Sequence, residues 1–201
     1  MYERKDRFYR KAKQRGLRSR AAFKLDDLDH GLVREGDRVV DLGCWPGGWL
    51  QVLSRRVGAS GRVVGVDLRK TDRSSLENVR VIQGDIFEPR IVDEVVAALG
   101  GPADVVFSDA SPALSGVRDR DTARARDLVE RALAIARTLL RPGGSFVCKL
   151  FMNADYVELR EAIRACFERV SATRSEATRK GSSELYVIAL GFRGDSPARA
   201  W

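Results

Sequence analysis

Histidine is almost absent from this 201-residue chain, which has His30 and no other. That scarcity removes most metal centres and the usual Ser-His-Asp route to nucleophilic catalysis. His30 precedes Gly31 at the end of an expected helix, where a capping or surface role suffices. Cysteine is sparse too: Cys44, Cys148 and Cys166 are widely spaced, odd in number and part of no CxxC or Cys/His cluster. They read as reduced thiols of a cytoplasmic protein, with no zinc site among them. No apolar run approaches the roughly 20 residues that span a bilayer. The chain is charged from residue 3 onward, unlike a secretory signal. Repeats, low-complexity blocks and dividing linkers are also missing. These absences leave a single domain over 1–201 with no membrane segment, no metal, and nothing that demands more than a monomer.

What the chain has in excess is positive charge near its start. The net charge is +8. Residues 1–20 hold nine Lys/Arg (Arg4, Lys5, Arg7, Arg10, Lys11, Lys13, Arg15, Arg18 and Arg20) against Glu3 and Asp6, so this segment alone carries +7. Tyr2, Phe8 and Tyr9 are interleaved with them. A basic arm with aromatics suits a polyanion whose bases can stack, so RNA is the expected partner. A solvated tail is the competing reading of the charge alone. The expected layout is a basic RNA-binding arm at 1–20 and an α/β core at 21–201.

The core alternates between two periodicities. Ser19 can cap a helix RAAFKLDDLDH that ends at Gly31. Strand-type runs follow at 37–43, 61–68, 79–85, 103–110 and 145–151, with helical segments over roughly 48–57, 88–99, 120–140 and 155–167 between them. Arg141-Pro142-Gly143-Gly144 reads as the stop of the 120–140 helix, and ERVSATRS and ELYVIALGF as a closing antiparallel pair. Near-continuous Val/Ile strands alternating with helices predict an α/β fold whose mostly parallel sheet is covered on both faces.

Ligands of open α/β sheets sit beyond the carboxyl ends of the strands. There the sequence places Asp41-Leu42-Gly43, Asp67, Asp85, Ser108-Asp109 and Lys149. The loop Gly43-Cys44-Trp45-Pro46-Gly47-Gly48 is not the G-x-G-x-x-G of a dinucleotide site. Trp45 stands where the middle glycine would be, and Pro46 pushes it toward extended backbone. Close approach of a pyrophosphate is disfavoured, and the lack of GxxxxGK[ST] disfavours ATP. Asp67 lies 24 residues past Gly43, a spacing suited to ribose hydroxyls, and Asp85 can accept from an adenine amino group. A nucleoside without a pyrophosphate fits, and S-adenosylmethionine is such a ligand.

Further residues concern an acceptor. Lys24 shares a helical stripe with Ala21, Leu25 and Leu28, so it either snorkels or faces a cleft. Lys149 ends a strand that should be central, where a lone ammonium would be costly, and Asp109 on the neighbouring strand end can pair with it. Glu184 opens the last strand after Lys180-Gly181-Ser182-Ser183. Two lysines and two carboxylates can thus converge on one mouth of the sheet.

Through KAKQRGLRSRAAFKL, VVDLGCWPGGW, VGVDL, Gly84-Asp85, SDASP, LRPGGSFVCKLF and SSELY, the chain resembles the FtsJ/RrmJ family of RNA ribose 2′-O-methyltransferases over essentially its whole length. The resemblance implies a Rossmann-like methyltransferase sheet of seven strands, the last antiparallel. It implies a catalytic tetrad of Lys24, Asp109, Lys149 and Glu184, with Lys149 as general base. It also implies S-adenosylmethionine contacts at Gly43, Gly47, Trp49, Asp67, Asp85 and Asp109, and no metal. Two departures stand out. The family loop commonly reads GAAPGG where this chain has Cys44-Trp45, and RSEATRK lacks a proline often found before the last strand.

A ribose hydroxyl is a poor nucleophile until a positioned base removes its proton, which is the part the resemblance gives to Lys149, with Glu184 and Lys24 positioning the ribose. Oxygen, methyl and sulfur then lie in line. Charge is annihilated in that step, so alignment in a dry site matters more than an oxyanion hole. Ser108-Asp109-Ala110-Ser111-Pro112 stands where amine-directed relatives of the fold carry Asn/Asp-Pro-Pro-aromatic, which favours a hydroxyl acceptor. The expected substrate is a uridine of 23S ribosomal RNA in the large ribosomal subunit. The tRNA-directed branch shares the tetrad and is the nearest alternative. A non-catalytic RNA-binding assembly factor is opposed by the tetrad, and a small-molecule methyltransferase by the basic arm.

Overall fold

The computed structural model describes residues 21–29, 31–71, 76–113, 115–178 and 181–194. The basic arm, the Ser19 cap, His30 and Lys180 lie outside the described residues. Five helices and seven strands are described: α1 (Ala21–Asp29), β1 (Arg38–Leu42), α2 (Gly48–Val57), β2 (Arg62–Asp67), β3 (Val79–Gln83), α3 (Arg90–Leu99), β4 (Ala103–Ser108), α4 (Arg118–Leu139), β5 (Leu140–Phe151), α5 (Tyr156–Cys166), β6 (Phe167–Thr173) and β7 (Glu184–Phe192). All seven strands form one sheet in the order β3-β2-β1-β4-β5-β7-β6. The first five are parallel, and β7 runs antiparallel between β5 and β6. This is the expected α/β sheet with its last strand reversed.

The central strands are Val-rich because both faces are covered. Val39, Val40, Val63, Val64 and Val106 are fully buried. On one face Leu25 and Leu28 of α1 and Leu50 and Leu53 of α2 pack over Val39, Val63 and Phe107. On the other, Ile91 of α3, Ile135 of α4 and Ile163 of α5 belong to a core with Val40, Val64 and Phe146. Among the described residues no helix is long and apolar enough to cross a membrane.

One local expectation needs correction. Arg141-Pro142-Gly143-Gly144 does end the helix, since α4 stops at Leu139, but the four residues are part of β5 rather than a turn ahead of it. Pairing with β4 jumps from Ala103↔Leu140 to Val105↔Ser145, so the extra residues of β5 are taken up as a bulge. A bulge accommodates a proline without a donor and Gly143 at φ 78.

The topology decides where a ligand can sit. The chain leaves β1 for β2 and β3 on one side, then returns to β4 on the other, so strand order reverses between β1 and β4. A crevice opens at such a switch point beyond the carboxyl ends of the strands. Asp41 and Gly43 flank it from β1, and Asp109 from β4.

Candidate active site

α1 lies over the β5–β7 end of this mouth and delivers Lys24, which is 7% exposed. Its ammonium does not snorkel outward: Nζ lies 2.5 Å from Glu184 Oε1 and donates to the Tyr186 hydroxyl at 3.1 Å. Tyr186 in turn donates to Asp109 Oδ1 at 2.7 Å. Lys149 Nζ sits 3.0 Å from the same Oδ1 and donates to the Asp109 carbonyl at 2.7 Å. Thr178 Oγ1 donates to Glu184 Oε1 at 3.2 Å. Lys24, Asp109, Lys149 and Glu184, scattered over 160 residues of sequence, thus form one connected chain of contacts through Tyr186.

The sheet register makes this possible. Lys149 of β5 lies directly opposite Tyr186 of β7, and Phe151 opposite Glu184. Side chains two apart on a strand share a face, so Glu184 and Tyr186 point together toward α1. Sequence reasoning found Glu184 and missed Tyr186, although the alternation in Glu184-Leu185-Tyr186 carried the signal. Burial foremost, then the Asp109 and Glu184 carboxylates, raise the Tyr186 phenol far above its ordinary range, so it stays protonated and keeps its donor role. Two ammonium and two carboxylate groups balance in charge, the condition under which buried ions are tolerated. Cys148, next to Lys149, is a buried thiol pushed up to about 12 by desolvation and is inert.

The other half of the mouth is acidic. A cleft of about 340 Å³ is lined by Gly43, Asp67, Asp85 and Asp109, with Trp45 and Arg69 also in its wall. Gly43 adopts φ 85, and a Cβ there would meet the Ala110 backbone at 2.7 Å, so only glycine fits beneath the loop after β4. Gly47 is the N-cap of α2 at φ 95. Asp67 Oδ2 accepts from the Trp45 N–H at 2.9 Å and Oδ1 from the Arg69 N–H at 2.8 Å. Asp85 Oδ1 accepts from the Phe87 N–H at 3.0 Å. Trp49 lies outside this cleft's lining, in the first turn of α2. Its ring is buried edge-on to Phe107 at 5.6 Å and 6.1 Å from Tyr186, and it joins Asp41 and Asp109 around a small adjoining void.

Asp41 is 1% exposed, and among the described residues neither of its carboxylate oxygens has a hydrogen-bond partner. Desolvation raises it well above the usual carboxylate range, and the charges of Asp109 and Asp67 push the same way. A second cleft, of about 570 Å³, opens from Lys24 and Glu184 and is lined by Arg118, Thr122, Met152 and Ser183. The two clefts share Ser111 and Pro112 as wall, so Asp109 borders the first and Lys24 and Glu184 border the second.

Proteins similar to this chain in fold and in sequence are known. The solved structure of a ribosomal RNA methyltransferase from Plasmodium falciparum superposes with a TM-score of 0.77 at 25% identity, covering 89% of this chain and all of that one. Fibrillarin from Aeropyrum pernix, solved with natively bound S-adenosyl-L-methionine, shares the fold at TM-score 0.58 and 19% identity, covering 85% of this chain and 73% of that one. Among curated proteins, the ribosomal RNA large subunit methyltransferase E of Methanothrix thermoacetophila is 48% identical over 92% of this chain and 72% of its own length. The protein of the same name from Syntrophobacter fumaroxidans is 42% identical over 96% of this chain and 98% of its own. A family model for FtsJ-like methyltransferases matches residues 17–192, a span that holds both clefts and every residue of the lysine–carboxylate chain. The family model over residues 17–192 and relatives at 42–48% identity show the family: the chain belongs to the FtsJ-like methyltransferases.

Proposed function

We propose that this protein transfers a methyl group from S-adenosylmethionine to a ribose 2′-hydroxyl of large-subunit ribosomal RNA, with a uridine of 23S RNA as the target. The observation that carries the reading is the continuous chain Glu184–Lys24–Tyr186–Asp109–Lys149 at the junction of two clefts. The cofactor brings an electrophilic methyl on a sulfonium. The acidic cleft fits that group on its own chemistry. Four carboxylates, Asp41, Asp67, Asp85 and Asp109, border the cleft and its adjoining void, and the buried Asp41 has no partner, so a ligand bearing positive charge meets an unmet need there. Each Asp67 oxygen still has a lone pair left after its backbone bond, which leaves it able to accept from ribose hydroxyls. Asp85 keeps the same spare capacity for an adenine amino group.

The tetrad then divides the remaining work. The target ribose enters the 570 Å³ cleft beside Lys24 and Glu184. Lys149 acts once its ammonium has given up its own proton: the neutral amine accepts the hydroxyl proton at Nζ, and Asp109, in contact with that nitrogen through both its carboxylate and its carbonyl, fixes its position and balances the ammonium that forms. Glu184 and Lys24, locked together and held by Tyr186 and Thr178, orient the ribose. The basic arm at 1–20 grips RNA phosphates, and the protein works in the cytoplasm as one catalytic domain with that arm.

The names of the curated relatives support ribosomal RNA over tRNA as the substrate. The test offers methyl-labelled S-adenosylmethionine and the protein to large ribosomal subunits, free ribosomal RNA and tRNA, all from a strain lacking it. Label in large-subunit RNA is expected. Label confined to tRNA would replace the substrate, and label in none of the three would remove the function.

A further inference from the structure

Trp45 is the least expected residue of the cofactor loop: a large ring, 48% exposed, in a turn otherwise made of small residues. It is not idle there. The Arg69 guanidinium lies over its ring, 4.5 Å from the centroid. The two residues come from different loops, one after β1 and one after β2, and both line the acidic cleft. Each is also pinned by its backbone N–H to one oxygen of Asp67, the carboxylate read above as the ribose acceptor. The ring, the guanidinium and the carboxylate therefore form one unit on the cleft wall.

We propose that Trp45 and Arg69 form a cation–π clasp that holds S-adenosylmethionine and its demethylated product in the cleft, with Asp67 coupling the clasp to the ribose. The inference rests on the cofactor reading of this cleft. An exposed arginine would otherwise spend its time solvated, and an exposed indole would leave apolar surface in water. Stacking gives each a partner while building a wall beside the ligand. The contact area such a wall adds does not depend on the sulfonium, so it slows escape of the cofactor and of its net-neutral product alike. Ribose hydroxyls that donate to Asp67's spare lone pairs stiffen the same carboxylate that orders both clasp backbones. Ligand loading and clasp order are thus linked through one side chain.

The test measures dissociation rates of S-adenosylmethionine and of its demethylated product by stopped-flow tryptophan fluorescence and by filter release of labelled ligand. The proteins are the native chain, Trp45→Phe, Trp45→Ala, Arg69→Ala and the Trp45→Ala/Arg69→Ala double variant, with circular dichroism to verify folding. Arg69→Ala should speed release of both ligands about two- to fivefold, the range of an exposed cation–π pair. Trp45→Ala should do so by at least as much, Trp45→Phe should retain most of the native behaviour, and the double variant should add little to Trp45→Ala. Because Arg69 is at the surface, its variant keeps the test valid even if Trp45→Ala fails to fold. Unchanged release from Arg69→Ala, or additive effects in the double variant, would overturn the clasp. Failure of the native chain to bind either ligand would instead overturn the cofactor reading, a distinguishable result.

Discussion

The two halves of the mouth solve opposite electrostatic problems. On the β5–β7 side every buried charge has a partner: Lys24 with Glu184, Lys149 with Asp109, and the Tyr186 hydroxyl spanning the two pairs. On the β1–β2 side carboxylates accumulate, and the most buried of them, Asp41, meets no donor among the described residues. The first half is a finished device, held rigid before any substrate arrives, as positioning chemistry requires. The second holds a buried carboxylate at a cost in stability, which under the proposed function a cationic ligand returns on binding. Asp109 belongs to both, with its side chain on Lys149 and Tyr186 and its residue in the wall of the acidic cleft.

Removing Lys149 should have the largest effect. Lys149→Ala is expected to lower methyl transfer by about 10²- to 10⁴-fold, the usual worth of a general base. Cofactor affinity, measured by calorimetry, should stay within about threefold, because Lys149 is not in the lining of the acidic cleft and only Asp109 there loses a partner. Retained transfer would show that Lys149 is not the base.

Asp41→Asn sharpens the contrast because its two effects have opposite signs. Cofactor affinity should fall about tenfold or more, as a charge-assisted contact is lost. The ligand-free protein, however, should melt at a higher temperature. The native carboxyl is raised above its unfolded value of about 3.9. Below that value its contribution is fully present, and it is lost as pH rises through the raised native value, where the folded state must hold an uncompensated charge or an extra proton. The gain from the asparagine should therefore be absent near pH 3 and grow from about pH 4 upward in thermal melts. Equal melting curves at all pH values would mean that Asp41 is already paired.

The smallest expected effect is that of Tyr186→Phe, which keeps the ring against Trp49 and deletes only the hydroxyl. Turnover should drop on the order of tenfold, with the Michaelis constant for the cofactor little changed, since the two halves of the tetrad lose their bridge. An unchanged turnover would make the hydroxyl a passenger in a tetrad that positions itself.

Much of this mouth was legible in the sequence because it depends on strand ends, and strand ends can be read from short Val/Ile runs followed by an acid or a lysine. Asp67, Asp85, Asp109 and Lys149 were found that way. The antiparallel closing pair followed from two β-type runs without an intervening helix. Tyr186 was missed because a tyrosine in an apolar strand looks like core; alternation puts it on the face of Glu184, and the register opposite Lys149 sets its hydroxyl between two charges. The bulge at Pro142 was missed for a similar reason: whether Pro-Gly-Gly turns a chain or bulges a strand depends on the pairing of β4, which is not local. Trp45 could not be placed at all, since its partner Arg69 belongs to the next loop.

The central claim is that the acceptor is a ribose 2′-hydroxyl. It is tested most directly by alkaline digestion of RNA that the protein has labelled from methyl-labelled S-adenosylmethionine. A 2′-O-methyl group blocks cleavage of the adjoining phosphodiester, so the account predicts label in an alkali-resistant dinucleotide from large-subunit RNA. Label released in mononucleotides, carried on a base, would contradict it.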